Sequence, residues 1–212
     1  MAALGAKVLH TRSVELAKKY QVPLAVKSSF TNERCTWIVN EEDLMENSVI
    51  KGVTLERNVS IISLLHVPDR PGIAYKILSP ISDAAINIDM IIQNASIEGY
   101  TDFTFTVPKT ELARAHKLVS VVARKIGDVK ILTDDNIVKV SAVGIGIRTN
   151  PGVAARMFQS LSAENINIHM ISTSEYRISC AIDEKYGELA VRAIHKAFNL
   201  DQMGVSLEGK DE

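Results

Sequence analysis

The sequence predicts an α+β chain in which one small βαββαβ unit occurs twice, and three observations predict it. Residues 71–91 and 151–171 align without a gap, 80 positions apart, and nine of the 21 aligned residues are identical. These are Pro71/Pro151, Gly72/Gly152, Ala74/Ala154, Ser82/Ser162, Ile86/Ile166, Asn87/Asn167, Ile88/Ile168, Met90/Met170 and Ile91/Ile171; average residue usage gives about one or two by chance. Around each repeat the apolar spacing switches between a helical face and strand-like runs in the same order. Finally, the second copy ends one strand short, while an unassigned apolar stretch, residues 49–56, precedes the first. An internal repeat fixes architecture before any other signal, so function is to be sought where the copies meet.

The elements follow in chain order. Residues 8–20 predict a helix with apolar Val8, Leu9, Val14, Leu16 and Ala17, followed by strands at 23–26 and 37–39 on either side of a polar loop. About 45 residues of this kind cannot close a core of their own. Residues 1–45 are therefore expected to be the end of a larger domain plus a linker, in which Glu41, Glu42 and Asp43 form either the linker or a solvated turn. The first unit, residues 58–133, opens with a β-branched strand at 61–67 that ends in Pro-Asp-Arg-Pro-Gly. A helix follows, apolar at 73, 74, 77, 78 and 81, with Pro71 suited to its first turn because a missing N–H there has no intrahelical partner. Residues 86–95 are mostly apolar, and the strict alternation at 101–107 marks a strand with one wet face. A helix at 110–126 is stopped by Gly127, and 129–132 closes the unit.

The second unit repeats this course: strand 137–147, helix 151–164, strands 166–172 and 176–182, helix 185–198. The tail, 201–212, is too polar to supply the missing strand. Residues 49–56 are expected to complete the second sheet, which makes the first unit an insertion within the second, itself 49–56 plus 136–200. Each unit is then ferredoxin-like, with two helices on one face of an antiparallel sheet. Such sheets leave hydrogen-bonding edges that proteins pair or cover, so a homodimer is expected.

Composition narrows the function. A net charge of -1, from 24 basic and 25 acidic residues, leaves no electrostatic footprint for nucleic acid or an anionic membrane. No apolar run is long enough for a membrane-spanning helix. Two cysteines, Cys35 and Cys180, provide neither a disulfide framework nor a CxxC metal site, and point to a reducing, cytoplasmic setting. Gly144 and Gly146 suggest a dinucleotide fingerprint, but its third glycine position holds Thr149. There is no P-loop or nucleophile elbow, and the five histidines lack metal-ligand spacing.

What remains is the pair of Pro-Gly turns. Each places backbone N–H groups at a helix amino terminus, where the dipole favours an anion such as an amino acid's carboxylate; each is also common turn punctuation. Asn87 and Asn167 recur 16 residues after the prolines, and amides inside apolar strands need partners or a ligand. The turns differ in charge: Asp69 precedes the first, neutral Thr149 and Asn150 the second.

With DRPG…NIDMIIQN and TNPG…NIHMISTSEYRIS, the paired units resemble the tandem ACT domains of the aspartate kinase family. GAKVLHTRSVELAKKYQVPLAVKSSF resembles the carboxy-terminal end of its amino-acid-kinase domain. The resemblance implies a regulatory chain that binds threonine and/or lysine and signals to a catalytic aspartate kinase chain. That partner would phosphorylate aspartate's side-chain carboxylate with ATP and magnesium. By matched position the resemblance implies one effector site at Asp69, Gly72, Ala74 and Gln93, closed by Asn167 and Ile168 of the other unit. It implies a second at Asn87, Ile88, Asn150, Gly152 and Ala154, with Ser174 and Glu175 nearby. The family's glycine-rich nucleotide motif is not matched, so no cofactor and no catalytic residue is expected here. The alternative is an amino-acid-sensing ACT module of another enzyme or regulator.

Overall fold

A computed structural model describes residues 8–31, 35–38, 49–145, 147 and 149–201. Val39, the Glu41-Glu42-Asp43 run, Gly146 and the tail beyond Asp201 lie outside the described residues.

Helix α1 (Thr11–Lys19) and the antiparallel strands β1 (Leu24–Val26) and β2 (Thr36–Ile38) come first. The helix is shorter than its apolar pattern predicts and buries none of its residues. Leu16, Tyr20, Val22, Phe30 and Trp37 are all exposed, so the described residues of this segment close no core.

Strand β3 (Ile50–Glu56) leads to β4 (Ser60–Pro68), α2 (Ile73–Asp83), β5 (Ile91–Gln93), β6 (Tyr100–Val107), α3 (Leu112–Ile126) and β7 (Lys130–Asp134). Then come β8 (Ile137–Gly144), α4 (Val153–Ala163), β9 (Met170–Thr173), β10 (Arg177–Asp183) and α5 (Gly187–Ala197). One four-stranded sheet has the order β5-β6-β4-β7 and the other β3-β8-β10-β9, with every pairing antiparallel. The strand β3 flanks β8 as β7 flanks β4, so the chain leaves the second sheet after β3, builds the whole first sheet and returns at β8.

Each sheet carries its helices on one face. Ile62, Leu64, Phe103 and Phe105 pack against Ile73, Ile77 and Ile81 of α2 and Ala115 and Val119 of α3. In the second unit Val138, Val140, Ile178 and Ile182 meet Met157 and Leu161 of α4 and Ala190 and Ile194 of α5. A third cluster, Val59, Ile61 and Met90 with Ile137, Met170 and Ala181, joins the two units. Burial of this apolar area is the main stabilising contribution.

Three local expectations are corrected. Pro71 lies outside α2, because Gly72 takes the left-handed conformation (φ 85°) and an α-helix cannot run through it. The wet face of β6 is only partial: Thr106 is buried, and its hydroxyl accepts the N–H of Met90 at 3.0 Å. Asn87 and Asn167 are not inside strands. They lie, exposed, in connections that reach β5 and β9 only at Ile91 and Met170.

Candidate functional site

The two Pro-Gly turns fold alike because their sequences are alike. Gly72 and Gly152 are both left-handed, at φ 85° and 91°, and each caps an 11-residue helix. A residue with a Cβ is strained in that conformation, which explains a glycine at both places. The first helical bonds run from the Lys76 N–H to the Gly72 carbonyl at 3.1 Å and from the Arg156 N–H to the Gly152 carbonyl at 2.9 Å. Among the described residues neither helix has a side-chain cap. The Ile73 N–H donates to the Arg70 carbonyl at 3.2 Å, so not every first-turn donor is open. Among the described residues no acceptor meets the N–H groups of Ala74 and Tyr75, nor those of Ala154 and Ala155. Uncapped donors on a positive helix end attract an anion.

The structure brings Asp69 and Gln93 together: the Gln93 amide donates to Asp69 Oδ1 at 3.5 Å, a long contact. The Asp69 N–H donates to the Gly99 carbonyl at 2.8 Å, tying the turn to the loop that follows β5. Ala74 packs on the first core. Asn167 and Ile168 sit in the connection before β9, and Ile168 packs on the core of its own unit. In the second unit Ala154 also packs on the core, Asn150 donates to the Thr149 hydroxyl at 3.5 Å, and the Ser174 N–H donates to the Arg177 carbonyl at 2.8 Å. Glu175 is on the exposed loop between β9 and β10. Ile88 packs on the first core while Asn87 beside it faces solvent. Both asparagines thus lead into β5 and β9, each an edge strand of its sheet.

One charged group beside Asn87 and Ile88 escaped the reading of the sequence. Burial pushes the Asp89 carboxyl up, but the hydrogen bond and charge of Lys139, joined by those of Arg177, outweigh it and hold Asp89 below the ordinary carboxylate value. The only advance signal was the repeat itself, which places Asp89 opposite His169. Gly144 also has a structural role. A Cβ there would stand 1.7 Å from the Val49 carbonyl oxygen, so its glycine serves the close approach of β3 to β8. Among the described residues no group of His, Cys, Asp or Glu could hold a metal ion, and no helix is long and apolar enough to cross a membrane.

Comparison with known proteins places these features in a family context. ACT domain models match residues 57–124 and 140–198. The aspartate kinase of Pseudomonas fluorescens strain SBW25 is 50% identical over 202 residues, covering 95% of this chain and 49% of that protein. The chain spans about half the length of the curated relatives it matches. A solved structure of aspartokinase alpha and beta subunits contains a chain 49% identical to this one. The match covers 71% of this chain and 99% of that chain, with a TM-score of 0.67. The ligand-free regulatory subunit of aspartate kinase from Thermus thermophilus is 39% identical over the same shares, 71% and 99%, with a TM-score of 0.68.

Proposed function

This chain belongs to the aspartate kinase family, carrying two ACT domains, and we propose that it senses threonine and/or lysine for a catalytic aspartate kinase chain. That partner would use ATP and magnesium to phosphorylate the side-chain carboxylate of aspartate, and bound effector would restrain it from a cytoplasmic regulatory assembly. In this reading residues 58–133 form the first ACT domain and 49–56 with 136–200 the second. Residues 1–45 are the end of the amino-acid-kinase domain and a linker, and 201–212 are a polar tail.

The observation that carries the proposal is the pair of uncapped helix amino termini, one per unit, at the same repeat position. An amino acid's carboxylate accepts from the N–H groups of Ala74 and Tyr75 in the first site and of Ala154 and Ala155 in the second. In the first, Asp69 and Gln93 receive the ammonium and side chain. Asn167 and Ile168 close that site from the second unit of another copy; Asn87 and Ile88 do the same for the second site, near Asn150, Ser174 and Glu175. The meeting edges are β5 and β9, whose repeat-equivalent Ile91 and Ile171 are 51% and 41% exposed on the isolated chain. Pairing them covers both edges and makes a homodimer.

Thermal melting with each of the twenty amino acids tests the reading. A ligand at 100 times its dissociation constant adds about 2.7 kcal/mol to stability. Threonine or lysine is expected to raise the melting temperature while the other amino acids do not. A flat response to both excludes the function.

A further inference from the structure

Lys139 stands in the middle of β8 and is 2% exposed, an environment in which an ammonium persists only with partners. It has two, from different units. Its Nζ donates to Glu56 Oε2 of β3 at 2.7 Å and to Asp89 Oδ2 of the first unit. Asp89 is held from a second side, its Oδ1 accepting from the Arg177 guanidinium of β10 at 3.2 Å. Two cations and two carboxylates make a neutral cluster, three members of which belong to the second unit's sheet.

The repeat makes the cluster one-sided. Eighty positions before Lys139 stands Val59, buried in the apolar seam, and Asp89's counterpart His169 pairs with Asp183 of its own unit, Nε2 to Oδ1 at 2.7 Å. The connection 87–89 is therefore fastened across the seam, whereas 167–169 is fastened at home. The first carries Asn87 and Ile88, and Arg177 follows directly after the loop with Ser174 and Glu175.

Resting on the effector-binding reading above, we propose that Lys139 is a positioning residue for the second effector site alone. It touches no ligand. Through Asp89 it sets where Asn87 and Ile88 stand, and through Arg177, which shares that carboxylate, it ties their placement to the start of β10. Ligand at this site is thereby coupled to the packing of one unit on the other, while the first site is independent of it.

The test uses the intact chain with threonine and lysine as probes. Affinities are measured by calorimetry, and the sites are told apart by backbone amide NMR signals of 87–89 and 167–169. Lys139→Met is expected to weaken binding at the Asn87 site about 10-fold, within the usual range of coupling between sites, and to leave the Asn167 site within about twofold. Lys139→Arg, which keeps the charge and has enough donors for both carboxylates, is expected to recover most of the loss. Asp89→Asn, in which Lys139 retains Glu56, provides a variant with the fold kept should Lys139→Met not fold; it is expected to match the methionine's selective effect. Equal loss at both sites, unchanged affinity in a folded variant, or no recovery with arginine overturns the proposal. If neither probe binds the unmodified chain, the effector reading itself has failed. The positioning claim is then still decided by the amides: selective displacement of the 87–89 signals sustains it, and unmoved or uniformly moved signals overturn it.

Discussion

Removing the Asp69 carboxylate separates a binding turn from a merely structural one. Among the described residues its Oδ1 receives only the long 3.5 Å contact from Gln93, and the N-cap position of α2 is taken by Gly72 without a side-chain bond. The carboxylate therefore contributes little to folding, and the Asp69 N–H bond to the Gly99 carbonyl is a backbone contact that survives the change. A structural cap would contribute about 1 kcal/mol. A charge-assisted bond to a bound ammonium contributes about 1.5 to 3 kcal/mol, so Asp69→Ala is expected to weaken threonine binding roughly 10- to 150-fold. Because Asp69 is exposed in the free chain, the lower end applies unless the ligand and a second copy exclude water. Calorimetric titration, beside a melt of the ligand-free protein, reads both quantities. Unchanged affinity with a lowered melting temperature refutes the reasoning and makes the turn capped structure.

Further outcomes follow from other parts of the molecule. Gly144→Ala drives a methyl into the Val49 carbonyl, so denaturant unfolding should show a loss of about 1–3 kcal/mol or more; an unaltered midpoint contradicts the close approach of β3 to β8. Asp89 has a pKa below its ordinary value of 3.8, so its contribution is complete well above that value, begins to fall as pH approaches it and is lost as pH drops through the lower folded value. The stability gap between the unmodified chain and Asp89→Asn should be constant near neutrality and close only in acid; a gap that already narrows above pH 5 contradicts the ion cluster. Burial pushes the Cys180 thiol up to about 12, so a thiol reagent should modify it only on unfolding, and native-state labelling contradicts its burial in the second core. Sedimentation should show a dimer strengthened by threonine, and a monomer at all concentrations with and without it rules out the edge pairing.

The repeat made most of the architecture legible, since residues on α2 and α4 occupy the same helical faces in both copies. The tie from 49–56 to β8 could be read from a strand left over at one end and missing at the other. Other features depended on three-dimensional context. Gly72 keeps Pro71 out of α2, which starts at Ile73, and a sequence cannot distinguish a proline inside the first turn from one just before it. Asn87 and Asn167 lie in apolar runs that read as strands, but the sheets do not take up those stretches until after the asparagines, which leaves both amides in solvent. Lys139 alternates with Val138 and Val140 as a wet-face residue would, and only the seam with the first unit turns that face inward.

The central claim is that two helix amino termini receive an amino acid's carboxylate, and titrating isotopically labelled chain while following backbone amides tests it most directly. The account predicts that threonine or lysine moves the N–H signals of Ala74 and Tyr75, or of Ala154 and Ala155, saturably and ahead of the rest of the chain. Binding that leaves these four amides unmoved, or no binding by either amino acid, would contradict it.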